Sequence, residues 1–120
     1  MINLKPRVFS ALNVIDAFVS DQYPDGDGWE YPVIVYADED NSLDTMTTGG
    51  ERLSSVRYRV EIHSGKAPTT GLMIEVNTAL AGLGLNRTMN HELVDPLGNR
   101  MRIMRFEGIY DSKQDRFYTR

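Results

Sequence analysis

Apolar residues near the start of the chain recur at helical spacing: Leu4, Val8, Ala11 with Leu12, Ile15, and Phe18 with Val19. The pattern predicts an amphipathic helix over residues 4 to 19. Asn3 suits its N-cap, and Pro6 is tolerated in a first turn whose amides lack intrahelical acceptors. "DQYPDGDG" then breaks it. "YPVIVY" (31–36) is apolar on both alternating sets, which predicts an inner strand covered on both faces, with Pro32 near its start. "VRYRVEI" (56–62) alternates, placing Val56, Tyr58, Val60 and Ile62 inward and Arg57, Arg59 and Glu61 outward. After the turn "SGKAPTTG", a stripe of Leu72, Val76, Leu80 and Leu83, flanked by Met73 and Ala79, predicts a second helix. Thr69 or Thr70 would cap it, and Gly82 and Gly84 suit its end. A strand near 86–94, the turn "DPLGN", a strand at 100–110 and a short last strand at "RFYT" complete the chain. In "RMRIMRFEGIY" the apolar parity switches, with Met101 and Ile103 on one face and Met104, Phe106 and Tyr110 on the other. One residue of slip predicts a β-bulge near Ile103–Met104.

Helix, strand, strand, helix and three further strands make an α+β domain, a mostly antiparallel sheet with two helices packed on one face. The sheet cannot be all parallel, because no helix links its first two strands. Between those strands stands "DEDNSLDTMTTGGERLSS" (38–55), too polar to fold on its own. It predicts a long loop. Structureless connections beyond ~12–15 residues are uncommon in compact domains unless they function or are disordered. An assembly arm, ordered by a partner, fits this stretch.

The 120 residues suit one domain, large enough to bury one modest core without metal or disulfide. With 41% apolar and 25% charged residues, the composition is that of a soluble globular protein. No apolar run approaches the ~18 residues of a membrane helix. "MINLKPRVF" lacks the apolar region and cleavage site of a signal peptide. The absence of cysteine excludes disulfides, thiolate metal sites and a cysteine nucleophile, and fits a reducing cytosol. Net charge is −4, with acids bunched between Asp21 and Asp44. Arg87, Arg100, Arg102, Arg105 and Arg116 alternate along strand-like segments, as a solvated face does, and form no basic stripe for duplex DNA.

Candidate chemistry is sparse. "DGDGWE" offers Asp25, Asp27 and Glu30, but the twelfth position of a calcium loop would be Tyr36 counted from Asp25, or Gly49 counted from Asp38. His63 and His91 are the only histidines, and "NHE" is not HExxH, so a zinc site would need both plus carboxylates. Ser54 and Ser55 lack a nucleophile-elbow frame, and "TTGGERLSS" is not a P-loop. Trp29, alone before a strand, reads as a core or interface plug. These observations point to no catalysis, no cofactor and no metal.

Several segments together resemble the small phage and prophage tail-terminator proteins, also called tail completion or head-to-tail joining proteins. They are "MINLKPRVFSAL", "YPVIVYADEDN" running into the long polar stretch, "VRYRVEIHSG", "LAGLGLNRT" and "RIMRFEGIYD…RFY". The likeness covers nearly the whole chain. It implies an α+β fold and a structural virion protein that assembles in the host cytoplasm. There it would form a homo-oligomeric ring, a hexamer in the assembled tail, on the head-proximal end of the tube. Its partners would be the major tail tube protein and the neck, or head-completion, protein, with DNA passing through unbound. Its long β-hairpin loop would project toward the lumen or the tube. Contact surfaces are then expected at Asp38, Glu39, Asp40, Asp44, Glu51 and Arg52 of the 38–55 stretch, at Trp29 with Tyr31, and at Arg116, Phe117 and Tyr118. Rings need heterologous contacts that close, and edge strands are natural material for them. Rival readings are a head-completion stopper of the neck, a small metal-dependent hydrolase using Asp25, Asp27, Glu30 and His63, and a monomeric host–phage regulatory module.

Overall fold

The computed structural model describes residues 3–26, 29–47 and 50–118, and for 42–47 and 50–52 the backbone alone. Two helices, α1 (Lys5–Leu12) and α2 (Thr70–Leu83), stand with six strands: β1 (Phe18–Ser20), β2 (Val33–Thr47), β3 (Gly50–Gly65), β4 (Asn86–Val94), β5 (Arg100–Asp111) and β6 (Arg116–Tyr118). The strands form one sheet in the order β1-β2-β3-β5-β4, with β6 beside β5 where β4 ends. Every pairing is antiparallel except β1 with β2. The fold is α+β, as the order of elements led us to expect.

Both helices pack on one face of the sheet. Val8 and Leu12 of α1 and Val76 and Leu80 of α2 join Ile34, Tyr36, Val56, Tyr58, Val60, Ile62, Met104 and Phe106 in a single core. Burial of this apolar surface is the main favourable term of folding. Helix α2 follows its predicted stripe and stops where Gly84 adopts φ 102°. A Cβ on Gly84 would lie 2.7 Å from the Phe117 carbonyl oxygen, so backbone angle and packing both demand glycine there.

Three expectations are corrected. The first helix ends at Leu12, not residue 19: the Asn13 amide donates to the Phe9 carbonyl at 2.8 Å, and the Ile15 amide turns back to Leu12. The chain then drops Ile15 into the same core and re-emerges as β1 along Val33–Val35. Of the residues that continued the helical spacing, Ile15 is buried and Val19 packs against the core, whereas Phe18 stands exposed. At the N-terminus Leu4 takes the cap position, and Asn3 Oδ1 accepts from the Lys5 amide at 3.2 Å.

The second correction concerns the stretch 38–55, which is not a loop. It belongs to two long paired strands, of 15 and 16 residues, that form a hairpin. β5 accompanies β3 as far as Leu53, and the pairs Met46↔Glu51 and Thr47↔Gly50 run on beyond it. The molecule is correspondingly elongated, 54 × 24 × 24 Å. Past the last β3–β5 pair, cross-strand backbone pairing of β2 with β3 continues the hairpin, and the sequence there shows no apolar alternation.

Third, β5 keeps register with β3 from His63↔Met101 to Leu53↔Asp111 without a break. The parity switch reflects two occupied faces. Met104, Phe106 and Tyr110 face the helices, whereas Met101 and Ile103 are half-buried on the other side. Register shifts do occur in β2, and the first, between Asp38 and Asp40, puts both Glu39 and Asp40 on the helix-free face.

Candidate interaction surface

Across the helix-free face the registers align Phe18, Val33, His63, Met101 and Leu93 in one row, and Ser20, Val35, Glu61, Ile103 and His91 in the next. The connection from β1 to β2 crosses the middle of these rows. Its Trp29 ring sits 4.9 Å from His63 and 6.2 Å from Tyr31, and Tyr23 stands edge-on to His63. Beneath this aromatic ridge Val33, Val35 and Glu61 are buried, although alternation alone sends Glu61 outward.

Glu61 fastens the ridge to the sheet. Its carboxylate accepts from Tyr23 Oη at 2.6 Å and lies 3.1 Å from both His63 Nε2 and Arg59 Nε. Burial alone would raise the Glu61 carboxyl, but hydrogen bonds from His63 and Tyr23, with the charge of Arg59, outweigh it and hold it below the usual range. Farther along the face, Arg105 Nε donates to Glu39 at 2.7 Å, Arg59 reaches the same carboxylate at 3.4 Å, and Arg57 pairs with Glu107 at 2.7 Å. The Arg105 bond is the main reason Glu39 ionises below the usual carboxylate range. These charges answer one another within the sheet, so Arg57, Arg59 and Arg105 are not a free phosphate-binding surface.

The ridge divides two depressions. On the β1 side Asp16, Phe18, Tyr23, Asp25, Glu30 and Tyr31 line an acidic one of about 550 Å³. On the β4 side Trp29, Tyr31, His63, Leu93, Val94 and Met101 line a more apolar groove of about 400 Å³, with Arg100 at its rim.

The expected contact residues fall at two places. Trp29, half-buried, and Tyr31, 50% exposed, form the ridge at one end of the sheet. Asp38, Glu39 and Asp40 stand on β2 leading into the long hairpin, where Asp38 comes within 3.8 Å of Lys5 Nζ. Asp44, Glu51 and Arg52 lie farther along the hairpin backbone, and their side chains are outside the described residues. β6 flanks the hairpin's root: Arg116 stacks 4.7 Å over the Tyr118 ring, whereas Phe117 is buried against Tyr110 in the core. Of the residues of the hydrolase reading, Asp25 and Glu30 line the acidic depression, His63 is held by Glu61, and Asp27 is outside the described residues. Among the described residues no three histidines or carboxylates converge as a metal site would require. The Tyr23–Glu61–His63 cluster escaped sequence reasoning. Nothing in "VRYRVEI" announces that a distant segment folds over it.

No family model matches this chain, and no curated protein is similar to it. No described helix is long and apolar enough to cross a membrane.

Proposed function

We propose that this chain is a structural assembly protein that caps the head-proximal end of a phage tail tube as a ring, a hexamer when assembled, and joins tail to head. The β2–β3 hairpin carries the reading: in a body 54 Å long, its paired backbone runs on beyond the last β3–β5 pair. Such a projection gains its use from contact with another molecule. In a ring it reaches the tube protein, while the opposite end of the sheet faces the neck. The resemblance, which covers nearly the whole chain, supplies the setting, a virion tail assembled in the host cytoplasm. A net charge of −4 suits a conduit through which DNA slides without sticking.

Purified major tail tube protein tests this directly. Tube ends incubated with the full chain should carry a ring at one end in electron micrographs. A variant with residues 45–52 replaced by Asn-Gly should fail to bind there, because the tight turn keeps every β3–β5 pair and removes only the projecting tip. Tubes that never acquire a ring overturn the proposal. Complete tails joined to capsids that leak DNA when the protein is missing would mark a head stopper instead.

A further inference from the structure

The row Phe18–Val33–His63–Met101–Leu93 ends in an exposed apolar side chain at each sheet edge, Phe18 at 58% and Leu93 at 42% exposure. Neither β1 nor β4 has a strand on its outer side among the described residues. Unpaired edges of this kind invite a neighbouring strand, and exposed apolar side chains at them mark where one would lie. The polarity also fits. β1 runs with β2, and β4 runs against it through the successive antiparallel pairings, so like-oriented copies set side by side bring β4 against β1 antiparallel.

We infer that copies of this chain join head to tail through these edges, β4 of one copy pairing with β1 of the next so that Leu93 lies beside Phe18. The inference rests on the ring reading above and says how the ring closes. In that register Ser20 meets His91, and both rows continue from one sheet into the next. The contact is heterologous, since two different edges meet, and heterologous contacts propagate until they close.

Charge selects a second copy as the occupant. Residues 14–31 carry Asp16, Asp21, Asp25, Asp27 and Glu30 and not one Lys, Arg or His. The β4 side presents Arg87, with no ion-pair partner among the described residues, and Arg100, held only by a 3.7 Å approach to Glu92. The carboxylates of that side are engaged within their own molecule. Glu92 accepts from Thr69 Oγ1 at 2.7 Å, and Asp95 takes the Leu97 and Asn99 amides, each at 2.9 Å. An acidic edge with an apolar end, where among the described residues only Asp21 has a cation near it (Lys5 Nζ at 3.6 Å), thus meets an edge on the same chain whose least committed charges are Arg87 and Arg100.

The cysteine-free sequence makes the test clean. Phe18→Cys and Leu93→Cys variants are prepared separately, their fold checked by circular dichroism, and mixed under mild oxidation at high concentration, with and without tail tubes. Facing residues of paired strands lie ~4.5–5.5 Å apart, within disulfide reach. Equimolar mixtures should give a covalent dimer that neither variant gives alone. A chain carrying both substitutions should give a ladder ending in a closed species. Equal cross-linking of either single variant with itself, or no cross-linking in the mixture, overturns the inference. Rings on tubes without an 18–93 link would overturn this contact and leave the proposed function standing. An 18–93 link without any tube binding would do the reverse.

Discussion

Replacing Tyr23 by Phe removes one hydroxyl from the cluster that fastens the aromatic ridge to the sheet. That hydroxyl donates to Glu61 at 2.6 Å, and the Glu61 side chain is only 7% exposed. A hydrogen bond to a charged group nets about 1.5–3 kcal/mol. Tyr23 itself is 52% exposed, so water takes over part of the bond, and about 1–2 kcal/mol should be lost at neutral pH. The pH dependence follows from the depressed Glu61 carboxyl. Its contribution is fully present above the unfolded value, about 4.3, and disappears as pH falls through the lower folded value. The gap between the Tyr23→Phe variant and the parent should therefore be widest near neutrality and close under acid. Urea unfolding at a series of pH values, followed by the fluorescence of the single Trp29 against His63, measures it. Tyr118→Phe, which removes a bond to the uncharged Gln114, is the control and should show no such narrowing. A Tyr23→Phe loss below about 0.3 kcal/mol at neutral pH, or one that acid leaves unchanged, would show that the Tyr23–Glu61 bond does not fasten the ridge.

Other expectations follow from packing. Gly84→Ala, forced to φ 102° with its Cβ 2.7 Å from the Phe117 oxygen, should cost about 2 kcal/mol or more and lower Tm by about 5–10 °C in a thermal scan. Phe106→Ala, in the fully buried layer under both helices, should cost about 3–5 kcal/mol by urea unfolding. Leu97→Ala, 75% exposed at the β4–β5 turn, should change stability by less than about 0.5 kcal/mol in the same assay. Duplex DNA mixed with the chain at physiological salt should show no binding in fluorescence anisotropy. A clear isotherm that weakens with salt would contradict the acidic conduit.

Elements held by a one-sided core were legible in the sequence, because burial stamps its period on the residues. The stripe of α2, the alternation of 56–62, the β4–β5 turn and the position of β6 all emerged from that signal. The distal hairpin was silent for the converse reason. Its strands run on past the end of β5, and the shifts at Asp38/Asp40, Leu43/Thr45 and Thr45/Met46 break even residual alternation. β1 was hidden because three residues are too few to show a period of two, and Phe18 and Val19 extend the helical spacing by coincidence. The parity switch in β5 was visible, yet it came from a second occupied face, which "RMRIMRFEGIY" cannot distinguish from a slipped register. The ridge over Glu61 depends on where residues 21–32 cross the sheet, a long-range choice that leaves no local mark. Trp29 and Tyr31 were singled out as aromatics before a strand, whereas Phe18 and Leu93 acquire meaning only when the registers set them in one row.

On the function proposed, this chain works by surfaces meeting surfaces, and above all by ending a tube. The length distribution of tail tubes polymerised from purified major tail tube protein tests it most directly. With the chain present, growth should halt and each finished tube should carry a ring at one end. Without it, tubes should extend to uncontrolled lengths. Identical distributions in both cases, with the chain left free in solution, would contradict the claim.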